Sequence, residues 1–225
     1  MILRGRLKPG QRVAEATLAE LLRMSRTPVR QALPVLAKEG LLVESDTRGY
    51  IVRTFTQTEI LDAIDLRGIL EGLAARRIAE RGASREFIRE LRECLVAGDR
   101  IFEKRHLVDT DEAAYGEMNG CFHARILDEA ASSIFSGALA RNAAIPFASA
   151  EAIAFDAMDL ESMFDALHFA HQQHHDVCDA LQAGQSTRVE FLMREHVNTV
   201  KKSINMLEQR RSSEDPTGVL KLREA

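Results

Sequence analysis

Between Glu15 and Arg23, after the turn signal Pro9-Gly10, the apolar residues Leu18, Leu21 and Leu22 recur at helical spacing. Met24 follows, and Ser25-Arg26-Thr27-Pro28 then offers an N-cap hydroxyl with a proline tolerated in the first turn. A second helix is expected to run to about Lys38, with Val29, Leu33 and Leu36 as its stripe and Gly40 as a left-handed stop. Two short helices joined by a tight turn make a helix-turn-helix pattern. Leu41-Leu42-Val43 and Tyr50-Ile51-Val52 are β-prone runs flanking the polar stretch Ser45-Asp46-Thr47-Arg48-Gly49, which reads as a hairpin, or wing.

Thr56-Gln57-Thr58-Glu59 matches a capping box ahead of Ile60, Ile64 and Leu70, so a new helix and a new domain are expected to begin near residue 56. The periodicity beyond it predicts six helices, at about 57–82, 84–105, 109–130, 132–144, 160–183 and 186–208, and no strand. Gly82-Ala83-Ser84 and Gly184-Gln185-Ser186 separate neighbouring helices, the latter closely enough to force an antiparallel pair. The expected fold is mainly α: a winged helix-turn-helix over residues 1–55, an all-helical bundle over 56–210 and a flexible polar tail over 211–225.

Charge sharpens this division. The 225 residues carry a formal net charge of −4, yet residues 1–54 hold ten Lys/Arg against five Asp/Glu. The head is thus suited to phosphate, and the rest of the chain is acidic. Cys94, Cys121 and Cys178 are far apart in sequence, without a C-x-x-C pair, and read as buried small hydrophobes in a reducing compartment. There is neither a long uncharged apolar stretch nor a signal-peptide pattern, so a cytoplasmic protein is expected.

Arg26 and Arg30, spaced i, i+4 near the start of the second helix, are the long multi-donor side chains that a recognition helix presents to guanine edges and phosphates. The hydroxyls of Ser25 and Thr27 can reach phosphate. Three stretches, G-R-L-K-P-G-Q-R-V (5–13), L-A-E-L-L-R-M-S-R-T-P-V-R-Q-A-L (18–33) and L-A-K-E-G-L-L-V-E…R-G-Y-I-V (36–52), closely resemble the winged helix-turn-helix of GntR-type regulators. D-L-R-G-I-L-E-G-L-A-A-R (65–76), N-G-C-F-H (119–123) and two later histidines resemble the helical effector domain of the FadR-like branch, the FCD domain. The resemblance implies wing-tip DNA contacts at Arg48 and Gly49. Only Met1-Ile2-Leu3-Arg4 precede the G-R-L-K-P-G turn, where the family has a full first helix, so that helix reads as truncated.

Of the seven histidines, three fall on apolar stripes. Asn119 and His123 flank Tyr115, Met118, Phe122 and Ile126; His174 lies along Met163, Leu167, Ala170, Val177 and Leu181; His196 lies along Val189, Leu192, Met193, Val200 and Leu207. Three inward imidazoles and one amide oxygen are a ligand set for a divalent transition metal, zinc or nickel above all, with open positions for water or an organic acid. Metal-containing FCD proteins hold their effector in this way. The family's first ligand is usually aspartate, so Asn119 removes a charge. Alternatively, the histidines bond one another in the core or bind an effector carboxylate directly.

His168, His171 and His175 read as a mostly solvated face that could take metal adventitiously, with His175 pointing outward. Arg67 and Glu71 read as an intrahelical ion pair, with a ligand role second, and Arg141 and Asn142 are within reach of an effector carboxylate. The sequence therefore reads as a homodimeric transcription regulator, a repressor by family habit, that binds a double-stranded operator and a small carboxylate. A metal-responsive regulator is the alternative. A histidine-metal hydrolase lacks a placed nucleophile or general base, so no enzyme is expected.

Overall fold

A computed structural model of the chain describes residues 7–45, 49–150 and 160–205, the side chain of Asp109 excepted. The head runs β1 (Arg12–Val13), α1 (Glu15–Leu21), α2 (Arg26–Lys38), β2 (Leu42–Glu44) and β3 (Tyr50–Val52). The sheet order is β1-β3-β2, both pairings antiparallel, with Arg12 opposite Ile51 and Val43 opposite Ile51 on the other side. At two residues, β1 is too short for an alternating pattern to reveal it. Val13, Leu18, Val29, Leu33, Leu42 and Val52 form the head's core.

Leu21 and Leu22 share the spacing of Leu18 yet are exposed. The reason is local: α1 stops at Leu21, Arg23 turns left-handed at φ 53°, and the Met24 N–H reaches the Ala19 carbonyl at 3.0 Å. Ser25 occupies the N-cap of α2 with extended backbone, but its hydroxyl makes no capping bond. Gly40 is left-handed, as a helix stop requires, with φ +79°.

Among the described residues, six helices follow: α3 (Gln57–Arg81), α4 (Arg85–Glu103), α5 (Asp109–Ala130), α6 (Ser133–Asn142), α7 (Leu160–Gln182) and α8 (Ser186–His196). The capping box at Thr56 is formed in both directions, as its spacing predicts. The stripes of α5 and α7 are buried together in one core. Helices α3 and α8 approach closely because Gly68 and Gly72 lack side chains, and a Cβ on either would lie 2.9 Å from Val197 or from the Glu190 carbonyl.

Two expectations are corrected. The last helix is not continuous: α8 ends at His196, Val197 is a turn, and helical turns resume over 198–205. Nor are the cysteines three buried hydrophobes. Only Cys178 is buried, whereas Cys94 and the exposed Cys121 meet between α4 and α5 with their sulfurs 3.0 Å apart. Sequence separation hid a contact made by helix packing. Among the described residues, no helix is long and apolar enough to cross a membrane.

Candidate metal centre and nucleic-acid interface

Helix α2 begins at Arg26, and Ser25, Arg26, Thr27 and Arg30 are all exposed along its first turns. Arg30 is held by Glu15 of α1, with its Nε 2.9 and 3.1 Å from the two carboxylate oxygens. Hydrogen bonding from Arg30 keeps the Glu15 carboxyl below its ordinary value, so the pair is charged at neutral pH. The pairing orients the guanidinium on the surface while leaving it where a phosphate can compete for it. At the wing, the Ser45 N–H donates to the Gly49 carbonyl at 2.9 Å. Gly49 has φ +93° and lies against the Val13 carbonyl, where a Cβ would come within 3.3 Å. Arg48 lies outside the described residues.

The second cluster of polar groups is buried inside the bundle. Helix α5 supplies Asn119 and His123, α7 supplies His174, and α8 supplies His196 at its final residue. One ring nitrogen from each histidine lies within 4.8 Å of the others. The Nε2 atoms of His174 and His196 are 3.0 Å apart, close to the edge of about 3.4 Å spanned by two nitrogens in a tetrahedral zinc site with bonds of about 2.1 Å. Gln173 lies with its Oε1 3.1 Å from His196 Nδ1, which places the proton on that nitrogen and turns the Nε2 lone pair toward His174 Nε2, where an ion would replace the shared proton. Burial, reinforced by neighbouring rings, holds His174 and His196 well below the ordinary histidine value, so both are neutral and competent to ligate.

Part of this cluster is satisfied internally, and part is not. Asn119 donates its amide to the Ala150 carbonyl, which leaves Oδ1 buried and without a partner. His123 Nε2, His174 Nδ1 and Arg67 Nε are likewise buried and unpartnered. Orphaned polar atoms in a bundle interior each cost roughly 1–3 kcal/mol, so mutually bonded core histidines do not account for the whole arrangement. Three buried imidazoles beside an unpartnered amide oxygen fit a divalent transition ion.

Arg67 and Glu71 sit against this cluster. They are separated by 3.9 Å, both nearly fully buried, so the pair is looser and far less solvated than an i, i+4 surface bridge. Glu71 lies nearer to His123, its Oε2 2.9 Å from Nδ1. Burial would push the Glu71 carboxyl up, but the His123 ring and Arg67 together hold it below its ordinary value. Burial pulls the Arg67 guanidinium down, and its Nη1 donates to the Ser149 carbonyl at 2.7 Å. Arg141 is exposed, and the buried Asn142 donates its amide to the Ala63 carbonyl at 2.7 Å, so neither joins the cluster. Sequence reasoning missed Glu71 and Gln173 as partners of the histidines. The i, i+4 spacing of Arg67 and Glu71 explained Glu71 too simply, and Gln173 carried no signal beyond adjacency to His174.

His171 is also corrected: it is buried, not solvated, and with His175 it meets Asp99 of α4. His175 faces outward but is only one-third exposed, because it leans against Asp99.

Comparison with known proteins places both regions. Residues 1–52 match the family described as bacterial regulatory proteins, gntR family, and residues 62–199 match the FCD domain. The Nta operon transcriptional regulator of Aminobacter aminovorans is 34% identical over 111 residues, 49% of this chain and 48% of that one, so the chain matches only about half of that relative's length. The probable D-xylose utilization operon transcriptional repressor of Paenarthrobacter nicotinovorans is 28% identical over 199 residues, 87% of this chain and 80% of that one. The solved structure of E. coli McbR/YncC shares the fold, with a TM-score of 0.65 at 22% identity over 93% of this chain and 92% of that one. A winged head followed by a helical domain that matches FCD over more than half the chain makes this protein a member of the GntR family of bacterial regulators, in its FCD-containing branch.

Proposed function

We propose that the chain is a sequence-specific DNA-binding transcription regulator, acting as a homodimer and as a repressor, whose FCD domain reads a small organic carboxylate beside a divalent transition ion. The observation that carries this reading is the convergence of His123, His174 and His196 in the bundle with unpartnered polar atoms on Asn119 and Arg67. His123, His174 and His196, with Asn119 Oδ1, would hold zinc or nickel; when bound, the ion offers an open position to a carboxylate oxygen. Arg67, buried and imperfectly matched by Glu71, supplies the positive charge that such a ligand needs in a low-dielectric interior. In the head, Arg26 and Arg30 would contact bases and phosphates, Ser25 and Thr27 phosphates, and Arg48 and Gly49 the wing's groove. Paired heads on a two-fold dimer match a pseudo-palindromic operator. Carboxylate binding would change the balance between head arrangements only as far as it distinguishes them.

Elemental analysis of the purified protein, combined with thermal shift against a panel of short carboxylates with and without chelator, tests this. Up to one tightly held transition ion per chain is expected at the inner cluster; that inner ion should be absent from His174→Ala and His196→Ala, retained in His175→Ala and held more tightly in Asn119→Asp. Carboxylate stabilisation should require the ion. A response of operator binding to metal alone, with no carboxylate effect, would instead identify a metal-responsive regulator.

A further inference from the structure

We propose that Asp99, His171 and His175 form a second, outer site for a divalent transition metal ion, distinct from the inner cluster. The i, i+4 spacing on α7 sets both imidazoles on one flank, and α4 brings the Asp99 carboxylate to them. The Nε2 atoms of His171 and His175 lie 2.8 and 2.9 Å from the same Asp99 oxygen and 3.3 Å from each other. Those separations are slightly shorter than the edge of about 3.4 Å expected for three donors around one zinc-sized ion with bonds of about 2.1 Å. A small outward movement of the two solvent-facing side chains completes the geometry.

Three features make this more than a surface coincidence. His171 is 1% exposed, whereas His175 and Asp99 are 33% and 44% exposed, so one ligand is fixed while the other two face the water from which an ion enters. The His171 ring packs at 5.4 Å from Phe102 and at 6.5 Å from Tyr115, which restricts its orientation. Position 98 is glycine, and a Cβ there would overlap the His171 ring. The backbone of α4 is therefore cut away where the imidazole lies, one residue before Asp99. Two imidazoles and one carboxylate suit zinc, nickel or cobalt, and three protein ligands leave positions for water.

An ion at this site clamps α4 to the stretch of α7 that also carries His174, whose ring lies 6.1 Å from that of His171. The outer site is thus an exchangeable metal input to the same helix that lines the inner cluster. It does not depend on the inner cluster's proposed role.

Titration of chelator-stripped full-length protein with cobalt(II), followed by its visible d–d bands and by calorimetry, tests the assignment. Wild type should take two ions per chain. Asp99→Ala and His175→Ala should each lose one, and His196→Ala should keep the outer ion alone. Gly98→Ala should weaken outer binding by crowding His171, with melting curves verifying that each variant folds. Failure of the inner reading alone would appear as one ion per chain, lost with Asp99→Ala and untouched by His196→Ala. Undiminished stoichiometry in folded Asp99→Ala and His175→Ala would overturn the outer site and leave Asp99 as a hydrogen-bond acceptor for the two rings.

Discussion

In the head, Arg30 is 69% exposed and doubly bonded to Glu15 in water; in the helical domain, Arg67 is 3% exposed, stands 3.9 Å from Glu71 and has an Nε with no partner. Both are arginines paired with a glutamate, but they report opposite conditions. The head keeps a small apolar core and sends its polar chemistry outward, so its interface can change without disturbing the fold. The bundle encloses its polar chemistry, where each unmatched group destabilises the empty protein and a matching ligand restores the balance. Binding is a surface event in one region and a stability event in the other.

The largest break in this contrast should come from Glu71→Gln. Removing the carboxylate leaves Arg67 buried without a countercharge, and the helical domain should lose about 3–5 kcal/mol, read by chemical denaturation. Glu15→Gln, the matching change in the head, should leave the denaturation midpoint unmoved. Equal effects from the two variants would erase the distinction between buried and exposed pairs.

Metal removal comes next. At a free-ion concentration a hundred times its dissociation constant, an inner ion contributes about 2.7 kcal/mol, so chelation should lower the melting temperature of wild type by more than that of His196→Ala, which has lost the inner ion. Acid should act on the stripped protein in the same direction. His174 and His196 have folded-state values well below 6.5, so the unfolded chain binds more protons between those values and 6.5. Stability from these groups is complete above pH 6.5 and falls as the pH drops below it. A stripped protein equally stable at pH 7.5 and pH 5.5 would contradict the burial of neutral rings.

Arg26→Ala or Arg30→Ala should weaken binding to an operator selected from random duplexes by roughly ten- to a hundred-fold, with melting unchanged. Fluorescence anisotropy at matched salt measures it, and the wild-type affinity should fall steeply as salt rises. The smallest effect is expected at Arg23, whose left-handed backbone is strained for any residue with a Cβ. Arg23→Gly should stabilise the head by relieving roughly 1 kcal/mol of that strain, less the extra freedom glycine gives the unfolded chain. A melting curve of the variant showing destabilisation would mean that Arg23 makes contacts worth more than its backbone strain.

Periodicity, caps and turn residues by themselves determined the order of the helices and of the wing hairpin, but not the two-residue β1. The capping box at Thr56, the left-handed Gly40 and the buried stripes of α5 and α7 are local consequences of residue type and spacing, because helices and turns answer to neighbours three or four positions away. The same periodicity set His174 and His196 among apolar side chains, and the bundle buries both. Only the tertiary structure decided which groups face one another across helices. It brought Glu71 to His123, Gln173 to His196, Asp99 to His171 and His175, and Cys94 to Cys121, and it turned Asn142 away toward Ala63. These partners lie on different helices, and their meeting depends on the rotation and height at which the helices pack. A one-dimensional pattern can say that a side chain points inward, but not whom it meets, because the spacing of a stripe leaves the neighbouring helix free to rotate and slide until the whole core is filled.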